Sequence, residues 1–203
     1  MSARQEPRMD EPESPEEFRD AVRAMRAARL RTEILVEEMP APQRIAPFSS
    51  ALAADVTVDG VEVGGGRLVL LHDPDGNDAW EGTFRLVAYA RAEIDPEQVT
   101  DPMLAGVGWS WLTEALDAHA ADYLAPSGTV TCVASESFGG LSAEGATAQI
   151  EIRASWTPVG DVGAQIGAHV EAWGEVMCAA AGLPPVPEGV ATLPSRRGQR
   201  GRG

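Results

Sequence analysis

The chain has 203 residues, 44% of them hydrophobic, and a formal net charge of −15 from 31 acids against 16 basic residues. That balance disfavours wholesale nucleic-acid binding, and no run of about 18 apolar residues is present to span a membrane. The opening MSARQEPRMDEPESPEE is acidic and lacks the apolar core of a secretory signal, so the expected location is the cytoplasm.

Residues 1–13 are charged, polar and proline-containing, and are expected to be disordered. A single α+β domain is expected over residues 14–194, followed by a flexible Arg/Gly-rich tail at 195–203. Ser14-Pro15-Glu16-Glu17 predicts a helix start with serine as N-cap and proline at the first helical position. Phe18, Val22, Met25 and Ala28 follow on one apolar face, and Arg19, Arg23 and Arg26 on another. TEILVEE (32–38) and part of SSALAADVTV (49–58) read as strands on either side of the proline-punctuated MPAPQRIAPF. After three glycines, RLVLLH (67–72) is apolar on both faces and belongs centrally in a sheet. DPDGNDAWEG reads as a turn and TFRLVAYARAEI (83–94) as the returning strand. In that strand Phe84, Leu86, Ala88 and Ala90 alternate with Arg85, Val87, Tyr89 and Arg91.

Asp101 and Pro102 open a helix containing GWSWLTEAL. At 100° per residue Trp109 and Trp111 project to opposite borders of its apolar surface, so they suit the seam between helix and sheet, not a ligand slot. SGTVTCVASESF (127–138) and ATAQIEIRASWT (146–157) form a second antiparallel pair. In the latter, Ala148, Ile150, Ile152, Ala154 and Trp156 point inward, and Gln149, Glu151, Arg153 and Ser155 outward. A last helix at 161–182 carries Ile166, Val170, Trp173 and Met177 and ends at Gly182, before Pro184 and Pro185. The fold class that follows is α+β: an antiparallel sheet of about five to six strands, helices packed on one face and the other face partly exposed.

The chemistry is sparse. His72 and Asp73 stand where a strand meets a loop and have the residue types for acid–base work, but no nucleophile or phosphate loop accompanies them. The acids at 73, 75 and 78 do not fit a calcium loop, because Phe84 occupies its twelfth position. Cys132 and Cys178, 46 residues apart without a CxxC pattern, read as separate buried thiols. No catalytic residue, metal site or cofactor is assigned. The binding candidates are His72, Asp73, Trp80, Arg85, Tyr89 and Arg153, on the open sheet face or in the loop at 72–82. The leading expectation is a non-enzymatic binding or adaptor module with a protein partner. One alternative is an accessory factor in RNA or DNA metabolism, touching nucleic acid through sheet arginines and the tail's Arg196, Arg197, Arg200 and Arg202. The other is an enzyme centred on His72 and Asp73.

The phrases RAARLRTEI, GRLVLLHDPDGNDAWEGTFRLV, GWSWLTEAL, SGTVT and QIEIRASWTP resemble those of an actinobacterial family known as domain of unknown function three thousand. The resemblance spans roughly residues 16–195. It implies an actinobacterial cytosolic protein and brings no established activity, cofactor or catalytic residue.

Overall fold

The computed structural model describes residues 14–42 and 44–185. The segment at 1–13, the end of the expected domain and Arg196, Arg197, Arg200 and Arg202 lie outside the described residues. Six strands form one open antiparallel sheet: β1 (Ile34–Met39), β2 (Phe48–Val58), β3 (Val61–Asn77), β4 (Gly82–Ile94), β5 (Tyr123–Glu136) and β6 (Ala146–Pro158). Their order is β1-β2-β3-β4-β6-β5. Three helices, α1 (Glu16–Ala27), α2 (Leu104–Ala118) and α3 (Val162–Ala180), complete the α+β architecture that the patterning predicts. Among the described residues no helix is long and apolar enough to cross a membrane.

Period-two alternation decides which face the helices cover. Phe84, Leu86, Ala88, Ala90 and Ala92 of β4 are buried, as are Ala148, Ile150, Ile152, Ala154 and Trp156 of β6. α3 packs on β3, β4 and β6, α2 on β5, and α1 on α3. Ile166, Val170, Trp173 and Met177 of α3 are all buried, each worth about 1.5–3 kcal/mol of transfer free energy or more. Gly66 makes room for this packing. A Cβ there would lie 2.4 Å from the Tyr89 carbonyl oxygen, 2.8 Å from Met177 Sδ and 3.2 Å from Trp173 Cζ2. The Trp173 indole also donates to the Tyr89 carbonyl at 3.2 Å.

A second indole is tied within the core. Trp156 Nε1 donates to His169 Nδ1 at 3.1 Å, and both side chains are buried. An indole nitrogen only donates, so Nδ1 must offer its lone pair and the imidazole proton sits on Nε2. Burial pushes the His169 pKa down to about 4. Trp109 and Trp111 are half-buried against the core, and the Trp109 ring lies over Gly128 of β5, where a Cβ would come 2.8 Å from Cζ3. Trp109 thereby fastens α2 to β5.

Three sequence expectations need correction. Pro15, not Ser14, holds the N-cap position of α1, without a side-chain cap bond; Ser14 contributes its carbonyl to the Arg19 guanidinium. The segment DPDGNDAWEG is not one long turn. β3 continues to Asn77, which pairs with Gly82, so the reversal is confined to residues 78–81. Residues 73–76 bulge out between the His72–Phe84 and Asn77–Gly82 pairs, with Gly76 at φ +81°. Finally, Cys178 is buried, its thiol pushed up to about 11 by burial, but Cys132 is only half-buried. The end of α3 follows expectation: Gly182 turns at φ +73° and Leu183 N–H reaches the Cys178 carbonyl.

Gly66→Ala is expected to lower the unfolding free energy by about 1–3 kcal/mol in urea titration, through displacement of Trp173 and Met177. The pH dependence follows from His169. Its pKa lies below the usual 6.5 only when folded, so between about 6.5 and 4 the unfolded chain holds the extra proton. Its contribution to stability is complete above pH 6.5 and falls by about 1.4 kcal/mol per pH unit towards pH 4. His169→Gln, which keeps an acceptor for Trp156, is expected to flatten that slope in denaturation series run across the interval.

Candidate functional site

The sheet face away from the helices forms a trough of about 950 Å³. Three cross-strand rows build it, because directly opposed residues in antiparallel strands point to the same side. The middle row runs Glu37, Ala53, Arg67, Tyr89, Arg153 and Thr129 from β1 to β5. Beside it lies a mainly apolar row, Met39, Ala51, Val69 and Val87, ending in Ser155 and Ser127. The third row is Leu35, Asp55, Gly65, Arg91, Glu151 and Thr131. Small residues at 53 and 65 deepen the centre. Pro42, in the connection from β1 to β2, walls one end, and Ser49 Oγ anchors that connection by donating to the Pro42 carbonyl at 3.0 Å.

Four arginines belong to this face, and they are not equivalent. Arg153 pairs with Glu151 at 2.6 Å and lies over the Tyr89 ring, 5.3 Å from its centroid. The Tyr89 hydroxyl donates to the other Glu151 oxygen at 3.1 Å; burial, then this bond, raises the phenol's pKa. Arg91 pairs with Glu62 at 3.3 Å. Arg67 is exposed and, among the described residues, makes neither ion pair nor hydrogen bond. Among the described residues it is the face's one arginine with neither a carboxylate nor a hydrogen-bond partner.

Arg85 is different again. It is 7% exposed and donates only to neutral oxygens: Ala125 O and Thr157 Oγ1 from Nη1, and Ser127 Oγ, Ser155 O and Ser155 Oγ from Nη2. Loss of hydration lowers its pKa. These bonds hold an irregularity in β5, where the register slips between Leu124 and Ser127 and Ala125 takes φ +48°. The guanidinium is thus committed to structure. The face is sealed at this end, as Leu71, 3% exposed, also shows.

Of the sequence candidates, Arg85, Tyr89 and Arg153 share the open face; His72 does not. Its ring is wholly buried on the helix side, stacked 4.1 Å from the Phe84 ring and near Phe18 and Phe48. Nδ1 donates to the Thr83 carbonyl at 3.0 Å. Nε2 lies 3.1 Å from Glu17 Oε1 but outside hydrogen-bond geometry. Asp73 follows on the opposite side and accepts from the Asp75 N–H at 3.2 Å, a local turn. The two therefore make no acid–base pair, and the 72–82 segment is mostly strand. Trp80 is half-buried, its carbonyl bound by Thr157 Oγ1. Among the described residues no group of three His, Cys, Asp or Glu is placed to hold a metal ion.

Sequence reasoning missed Arg67. Its signal was a lone charge in RLVLLH, which puts Arg67, Val69 and Leu71 on one face and Leu68, Leu70 and His72 on the other. Its lack of a counter-ion emerges only from the pairing register.

Fold and face together define an α+β protein with one helix-covered and one concave, open sheet surface. The chain belongs to the DUF3000 family, described as "Protein of unknown function", which it matches over residues 14–191. No curated protein and no solved structure matches it.

Arg85→Ala is expected to lower the unfolding free energy by about 3 kcal/mol, since it strands several buried acceptors. Arg85→Lys should recover only part, lacking the planar fork. Faster amide exchange at Ala125 and Ser127 would locate the damage at the β5 irregularity.

Proposed function

We propose that this protein is a non-enzymatic binding module that works through the open sheet face and seats the anionic part of its ligand at Arg67. The carrying observation is the contrast among the four arginines of that face. Arg91 and Arg153 have carboxylate partners, Arg85 is buried and bonded to neutral oxygens, and Arg67 stands free beside Tyr89. A planar, permanently charged donor fork without a counter-ion suits a carboxylate or phosphate oxygen. Two unpaired cysteines accord with action in a reducing compartment such as the cytoplasm.

The nucleic-acid alternative finds less support. Glu151 and Glu62 already neutralise two of the face's arginines, and a chain at −15 repels a polyanion. For an enzyme centred on His72, a ring with no accessible surface offers no contact to a substrate.

A thermal-shift panel of small anions and acidic peptides tests the reading. At least one should raise the melting temperature of the native chain, lose that effect with Arg67→Gln and keep it with Arg91→Gln. A panel in which no anion depends on Arg67 would overturn the proposal.

A further inference from the structure

The face supplies one free positive charge and, next to it, a strip of apolar side chains. From this we infer that the open face binds a monocarboxylate with an elongated apolar body, the carboxylate on Arg67 and the body over Val69 and Val87. The inference rests on the binding reading above and specifies its ligand.

Three observations carry it. The first is charge. With Arg91 and Arg153 each held by a glutamate, Arg67 is the one exposed cation of the face without a carboxylate partner, while Glu37 and Asp55 add negative charge to the same side. The surrounding chain stands at −15 and the trough's own border includes Asp55. A ligand with one negative charge gains the Arg67 contact at the least long-range repulsion; every further charge meets the same field without a second free partner.

The second is the strip. Val69 sits two residues along β3 from Arg67, so the two share a side, and Val69 lies between Ala51 on one neighbouring strand and Val87 on the other. Met39 extends the row to β1. Ala51 is only 2% exposed and does not line the trough, so the accessible apolar floor is Val69 and Val87, with Met39 at the β1 side. Val87 is 40% exposed, unusual for a valine in a central strand, and burying it would release water from apolar surface.

The third is shape. A trough of about 950 Å³ matches the size of small-molecule sites. Pro42 closes its β1 end and Ser127 and Ser155, held by Arg85, close the other. An elongated small molecule fits between those limits better than a flat macromolecular partner does.

Dodecanoate, kept below its aggregation threshold, is the probe, with calorimetric titration into the full chain at neutral pH. One saturable site is expected. Acetate, which lacks the body, and dodecan-1-ol, which lacks the charge, should each bind at least about tenfold more weakly. Arg67→Gln should weaken dodecanoate about tenfold or more. Val87→Asn should weaken it too, and Arg91→Gln should leave it unchanged. Both Arg67 and Val87 are exposed, so unaltered melting temperatures would show that these variants fold. Absence of dodecanoate binding, equal binding of dodecan-1-ol, or undiminished binding by Arg67→Gln would each overturn the inference. So would a concentration-dependent dimer abolished by Val87→Asn, which would mean that a second copy covers the strip. If dodecanoate fails while another anion still depends on Arg67, only the ligand assignment falls; if no anion does, the binding reading falls with it.

Discussion

The fit of α3 against the middle of the sheet organises this molecule. Trp173 lies on Gly66 and donates to the Tyr89 carbonyl, and one turn earlier on the same helix His169 receives the Trp156 indole. Both contacts need near-atomic closeness. Gly66 must lack a side chain, and His169 must stay neutral to offer its Nδ1 lone pair. A helix seated this tightly gives the other helices their places: α1 rests on it and α2 runs beside it. All three helices then seal the same side.

Sealing one side leaves the other, among the described residues, without a helical cover. The open face is a consequence of topology, since six strands in one sheet with three helices on one layer cannot enclose both surfaces. The exposed face is nonetheless closed at one end by Arg85, which fastens β4 to β5 and β6 through neutral oxygens. A guanidinium buried without a carboxylate gives up hydration that neutral acceptors must replace. Five contacts to four residues, all from Nη1 and Nη2, do so for Arg85, and the same bonds orient the serines that bound the trough.

The economy of charge on this face is its most informative property. Glu151 serves Tyr89 and Arg153 together and Glu62 serves Arg91, so positive charge is cancelled wherever a partner is within reach. Arg67 sits opposite Ala53 on β2 and Tyr89 on β4, neither of which is an acid. Its isolation is set by the register, and a slip of one residue on either neighbour would change it.

The residue order by itself determined the strands, the helices and the sidedness of most of them. Alternation in TFRLVAYARAEI and ATAQIEIRASWT separates core from surface without reference to any partner, because a strand's side chains must point alternately up and down. Gly182 and the prolines after it end the last helix for equally local reasons. What only tertiary structure decided was which residues meet. His72, Arg85 and Arg153 share the same chemical promise in sequence. Strand parity puts His72 among phenylalanines on the helix side, burial commits Arg85 to the frame, and Glu151 occupies Arg153. The bulge at 73–76 and the tight reversal after it were equally illegible, since they depend on where β3 and β4 resume pairing. Local rules specify the direction of each side chain, whereas pairing register and burial specify its company, and company is what makes a charged group a strut or a site.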